Sequence, residues 1–190
     1  NKPPFNNPKI RQAVAYAVPY DKIMETAMYK RATKMWGDKD NKANGTAWPQ
    51  PHGYNVNIAK AKALMKEAGI TGKLAIDYMV NNAPEARAVA EVVQSMVAEA
   101  GFDLRIRVVE VATALKAGEA GDFQLYGLTW SGRSDPDGNS VIYQTCGAPQ
   151  NMAKYCDKDV DAWHQEARAA TELEARKAIY AKITERFLDK

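Results

Sequence analysis

Cysteine and histidine are scarce in this chain of 190 residues, with two of each, and that scarcity excludes much chemistry. His52 and His164 are not spaced as partner metal ligands, and with so few histidines a histidine-based acid/base site has little support. His164, beside Trp163, reads as a surface or core-edge residue. No apolar run approaches the roughly 18 residues needed to cross a membrane. Blocks of like charge are also missing: 26 Lys and Arg against 23 Asp and Glu leave +3, scattered, with no basic stretch interleaved with aromatics. That argues against a nucleic-acid partner. The chain starts at Asn1 rather than Met and is read as a piece of a longer precursor, so a missing leader says nothing about compartment. What is present is ordinary for a globular domain with a sizeable core: 46% hydrophobic and 26% charged residues.

The apolar pattern predicts an α/β chain. Ile10, Ala13, Val14 and Ala17 share one stripe of a helix over 9–18, capped by Asn7-Pro8 and stopped by Pro19. A short helix over 21–28 follows. Residues 29 to 55 carry no period, hold Trp36 and Trp48 among glycines and prolines, and read as a long functional or aromatic-pinned loop. Within it Asn44-Gly45-Thr46 matches a glycosylation sequon, a pattern short enough to arise by accident. Helix returns over 55–68. Leu74, Ile76, Tyr78 and Val80 alternate as in a strand, then Val89, Val92, Val93, Met96, Val97 and Ala100 take helical spacing, and Leu104, Ile106 and Val108 alternate again. Strand, helix and strand at these lengths imply parallel pairing through a crossover. A further strand is expected over 123–129, and the final third reads as helical, with Val160, Trp163 and Ala167 lining one helix and Leu173, Ile179, Ile183 and Phe187 another.

Catalytic signatures are missing: no phosphate-binding glycine loop, dinucleotide fingerprint or nucleophile elbow. The chain is therefore expected not to be an enzyme, and no cofactor is implied. Asp135-Pro136-Asp137-Gly138-Asn139 starts like a calcium loop but has Ser140 at the sixth position and Cys146 at the twelfth, so it is read as a turn-rich segment. Directly before it, Trp130, Ser131, Gly132 and Arg133 follow the C-terminal end of a strand, where open α/β sheets bind ligands. An aromatic plate, flexible glycines, one guanidinium and two carboxylates suit a small-molecule site. They equally suit a structural loop in which Arg133 pairs with Asp135 or Asp137. Cys146 and Cys156, ten positions apart, are either two unrelated buried thiols or a disulfide, which needs an oxidising compartment.

Several blocks carry a resemblance. Pro3-Pro4-Phe5-Asn6-Asn7-Pro8-Lys9-Ile10-Arg11-Gln12-Ala13-Val14-Ala15-Tyr16-Ala17 resembles the start of a lobe in the peptide- and dipeptide-binding proteins of ABC importers, the family 5 extracellular solute-binding proteins. Ala59-Lys60-Ala61-Lys62-Ala63-Leu64 with Glu67-Ala68-Gly69 is similar to a second block of that family. Ala90-Glu91, Gln94 and Gly101 are similar to its crossover helix, and Tyr155, Asp161, Glu166-Ala167-Arg168, Arg176 and Tyr180 to its closing helices.

The resemblance implies a periplasmic binding protein-like lobe, with a mixed sheet containing a parallel βαβ unit flanked by helices. Residues 1–190 would be most of the C-terminal ligand-binding lobe of a two-lobed protein, with the N-terminal lobe and a final segment outside them. The protein would be the periplasmic, extracytoplasmic component that captures a peptide or a small, anionic solute between two lobes and delivers it to an ABC transporter membrane permease. A periplasmic interaction or chaperone-like module, binding a protein or peptide without transport, is the alternative. Dipeptide-binding members carry a cysteine pair in the matching loop, so the resemblance implies that Cys146 and Cys156 are bonded. One departure concerns specificity. Peptide-binding members place an Asp three residues after the tryptophan to meet the ligand's ammonium, and Arg133 stands there instead. A guanidinium repels an ammonium and attracts a carboxylate or another anion. The family's dipeptide-type arginine after the earlier strand is absent, with Asn81 and Asn82 near its place. The expected ligand contacts are Trp130 packing on the solute, Arg133 on an anionic group, Asp135 beside it, and Asn81 or Asn82 adding hydrogen bonds.

Overall fold

A computed structural model describes residues 2–32, 54–133 and 135–189. The expected loop over 29–55 lies mostly outside the described residues, and Trp36, Trp48, His52 and the sequon lie wholly outside them. The chain forms two compact units, whose described parts are residues 2–32 with 54–129, and residues 130–133 with 135–189.

In the first unit, α1 (Pro8–Ala17) starts where Asn7 Oδ1 accepts the Lys9 N–H at 3.0 Å and Pro8 occupies the first turn. Its stripe of Ile10, Ala13, Val14 and Ala17 is buried as expected. The short α2 (Tyr20–Lys22) runs on into a π-helical turn over Ile23–Ala27. Helix α3 (Ile58–Glu67) packs against α1, with Ala61 and Met65 inward and Lys9 paired to Glu67 at 2.8 Å.

Strand β1 (Leu74–Asn81), helix α4 (Pro84–Val97) and strand β2 (Phe102–Val109) form the predicted parallel unit, with Ile76 opposite Leu104 and Val80 opposite Val108. Between β2 and the strand expected over 123–129 lies a helix that the apolar pattern did not indicate. The missing element is α5 (Val111–Ala120), whose first amides are held by the Glu110 carboxylate and which ends at Gly121, at φ +70. Strand β3 (Leu125–Gly127) then pairs parallel on the other side of β1, giving the order β2-β1-β3. It is shorter than predicted: the Gln124 side chain, not its backbone, takes the Asp77 N–H at 2.8 Å. Central β1 is buried on both faces, since Tyr78, Met79 and Val80 are all inside. Ile76, Val80, Phe102 and Leu104 meet Ala90, Val93 and Val97 of α4 and the buried stripe of α1 in one core.

The second unit is helical. Helix α6 (Asp137–Gln144) begins inside the segment read as turns, and α7 (Lys158–Ala169) and α8 (Leu173–Asp189) follow. Val160, Ala167, Tyr180 and Ile183 form its small core. Leu173, expected on the inner face, is 57% exposed. His164 corrects the surface reading in the other direction: it is fully buried, and neither ring nitrogen has a hydrogen-bond partner among the described residues. Cys146 and Cys156 are joined by a disulfide. Buried Asn151 ties the loop between them, donating to the Thr145 and Tyr155 carbonyls at 2.9 and 2.6 Å and accepting the Tyr155 N–H at 2.9 Å.

Candidate functional site

The predicted site residues divide between the two units. Asn81 and Asn82 lie in the first, at the C-terminal edge of the sheet, where β1 has just ended. The strand order puts a topological switch at this edge, because β1 leads to β2 on one side and receives β3 on the other. Asn81 is half-buried and its Oδ1 accepts the Ala83 N–H at 2.9 Å, which turns the chain into α4. Asn82 is exposed.

Trp130, Arg133 and Asp135 lie in the second unit, and the segment Trp130–Arg133 is exposed along its length. The Trp130 ring packs against Tyr143 of α6, with centroids 5.3 Å apart in a T-shaped arrangement. The Arg133 guanidinium carbon stands 5.7 Å from the Trp130 ring centroid, within range of a cation–π attraction. Arg133 has no carboxylate partner among the described residues; its side chain reaches only the Ser131 carbonyl, at 3.4 Å.

The two carboxylates that might have neutralised it are engaged elsewhere. Asp135 receives both arms of Arg176 from α8, at 2.7 and 2.8 Å, and Asp137 receives Arg168 of α7 through Nε and Nη2, at 2.8 and 3.1 Å. Such forked pairs are the strong form of the ion pair. The Arg176 hydrogen bonds hold the Asp135 carboxyl below its ordinary range, against the opposing effect of partial burial. Asp137's hydrogen bonds likewise raise the Arg168 guanidinium. Each carboxylate of the segment is thus matched by an arginine of its own, and among the described residues no carboxylate is left to match the charge of Arg133. Chemically, the loop offers an anion one exposed cation on an aromatic plate.

Sequence reasoning missed Tyr143, Arg168 and Arg176 as supports of this loop, whereas the bonding of Asp135 and Asn139 side chains to nearby backbone is what a turn-rich segment leads one to expect. Arg168 and Arg176 were visible only as members of the closing helices, and nothing in local spacing joins them to residues 31 and 41 positions earlier. Among the described residues no group of His, Cys, Asp and Glu is arranged to hold a metal ion. A shallow groove lined by Lys62, Met65, Ile70, Lys73 and Glu99 lies at the opposite, N-terminal end of β1 and β2.

A profile of the bacterial extracellular solute-binding proteins, family 5 middle region, matches residues 1–152. The chain belongs to that family. It is 32% identical to the dipeptide-binding protein of Escherichia coli strain K12 over 197 aligned residues, covering 94% of this chain and 35% of that protein. The family fold is also found in the structure of a dipeptide binding protein from Pseudoalteromonas sp. SM9913 in complex with Met-Leu, at TM-score 0.83 and 25% identity over 99% of this chain and 39% of that one. The unliganded open form of MppA, a periplasmic murein tripeptide binding protein, superposes at TM-score 0.86 with 19% identity, over 100% of this chain and 38% of that one. The chain therefore spans about a third of the length of the family 5 relatives it matches. Solute binding and extracellular placement are both part of this family's description.

Proposed function

We propose that these 190 residues are most of the C-terminal ligand-binding lobe of a periplasmic substrate-binding component of an ABC importer. The protein would enclose a peptide or small solute bearing an anionic group and hand it to the transporter's membrane permease. The family match across residues 1–152 carries this reading. The names of its relatives support the peptide class, since those proteins bind dipeptides and tripeptides. The guanidinium of Arg133 on Trp130, without a carboxylate partner among the described residues, supports the anionic group. In this reading Trp130 packs on the solute and Arg133 pairs with its anion. Asp135 acts from behind the loop through its fork with Arg176. Asn82, exposed, and Asn81, at the sheet edge, are candidate hydrogen-bonding groups.

The test uses the full-length protein encoded by its gene. Mass spectrometry of solute released after purification from its host should find a small peptide or organic acid, and calorimetry with that class should saturate. Absence of any saturable small ligand would leave the transport reading without support. Arg133→Ala should weaken binding by about tenfold or more, roughly 1.4 kcal/mol. An unchanged titration would remove Arg133 from the site.

A further inference from the structure

Arg133 is held from behind by two neighbouring residues of α6. The Asn139 side chain clamps the backbone at this point. Its Oδ1 accepts the Arg133 N–H at 2.6 Å, and its Nδ2 donates to the Arg133 carbonyl at 2.6 Å and to the Asp135 carbonyl at 3.1 Å. Both backbone groups of Arg133 are thereby satisfied by one amide, which only Asn can do at this length. The clamp itself stands on a braced turn, because Asp135 Oδ1 accepts the Asp137 N–H at 2.8 Å while Arg176 grips the same carboxylate.

Gly138 acts on the side chain. A β-carbon placed there would lie 2.9 Å from Arg133 Cγ and 3.0 Å from its Cβ. The stem of Arg133 therefore rests on a bare α-carbon, a contact that any other residue would push away. Gly138 sits in the first turn of α6, where helix propensity alone would favour alanine. The glycine there gives up local helix preference and gains room for the arginine.

We propose that Gly138 and Asn139 are positioning residues that preset the Arg133 guanidinium over Trp130 for an incoming anion. Fixing backbone and stem beforehand lowers the ordering cost that a long, rotamer-rich arginine otherwise imposes on binding. The proposal rests on the reading of Arg133 as the anion-facing group.

The experiment uses iodide as the anionic probe and acrylamide as its neutral counterpart, both quenching tryptophan emission in the full-length protein. The share of Trp130 is isolated by subtracting the signal of the matching Trp130→Phe protein. A guanidinium beside the ring concentrates iodide but not acrylamide, so the ratio of the two quenching constants reports where the charge stands. Arg133→Ala should lower that ratio about twofold, as expected for a local potential near kT. Gly138→Ala and Asn139→Ala should lower it to a similar extent. Either substitution can also loosen the loop; loosening raises the acrylamide constant as well, so a fall in the iodide constant with the acrylamide constant unchanged separates positioning from folding. If Arg133→Ala lowers the ratio while Gly138→Ala and Asn139→Ala keep the parent value, the positioning role is refuted and the role of Arg133 stands. If Arg133→Ala itself leaves the ratio unchanged, both fall together.

Discussion

The two units of this chain are stabilised in different ways. The first is built around a strand buried on both faces, with Ile76, Met79, Val80 and Phe102 almost completely shielded from water. Among its described residues the second buries few large apolar side chains, and its helices are joined by links between residues far apart in sequence. These are the disulfide, the Asn151 bridge, and the ion pairs Asp135–Arg176, Asp137–Arg168 and Asp157–Arg186. Complete burial of a Phe or Ile contributes about 1.5–3 kcal/mol, whereas a largely exposed ion pair contributes about 0–1. Apolar burial therefore holds the first unit. In the second, covalent and polar ties replace core that the helices do not supply, and they also fix the loop carrying Trp130 and Arg133.

The largest test of that contrast is Phe102→Ala, expected to cost about 3–5 kcal/mol by chemical denaturation, equally with and without reductant. A loss under 1 kcal/mol would mean the first unit is not core-dominated. Next comes removal of the disulfide by Cys146→Ser with Cys156→Ser, expected to cost about 2–3 kcal/mol. Hydrogen exchange should then quicken across residues 137–189 and stay unchanged in β1 and β2; uniform quickening would contradict two separately held units.

Acid should act on the second unit through His164. Burial depresses its imidazole below the ordinary 6.5; Asp137 and Asp161 oppose the shift, and Arg168 adds to it. The unfolded chain takes up a proton near 6.5 that the buried ring refuses, so stability is full above that pH and is lost as pH falls toward the folded value. Asp135 and Asp157, held below 3.8 by their arginines, lose their contribution only in stronger acid. A thermal-midpoint decline between pH 7 and 5 should therefore flatten in His164→Leu, and an unaltered slope would exonerate the histidine. The smallest effect is expected for Arg176→Ala, about 1 kcal/mol or less and weaker in high salt, because Asp135 is half exposed.

The sequence was most legible where burial follows a period. The α1 stripe and the alternation in β1 and β2 led to the right elements within a residue or two, because one buried face imposes its spacing directly on the residues. It was least legible where polar residues do the ordering. Residues 111–120 become a helix through the Glu110 cap and Gly121, and residues 137–144 do so within a segment whose Asp, Gly and Asn content suggested only turns. At the candidate site, the place of Trp130 and Arg133 after a strand was legible. The engagement of Asp135 with Arg176 was not, because charge pairing across 41 positions leaves no periodic trace.

By itself, then, the amino-acid order determined the α/β class, the parallel β–α–β unit, the family and the loop where a ligand group was to be sought. Each of these is written in local spacing or in short blocks of residues. Only the tertiary structure decided that, among the described residues, Arg133 has no carboxylate partner, that Asn139 and Gly138 hold it, and that His164 is buried without a hydrogen-bond partner. Those outcomes depend on which distant side chains arrive within about 3 Å of one another. Such distances are set when helices pack, after local preference has done its part.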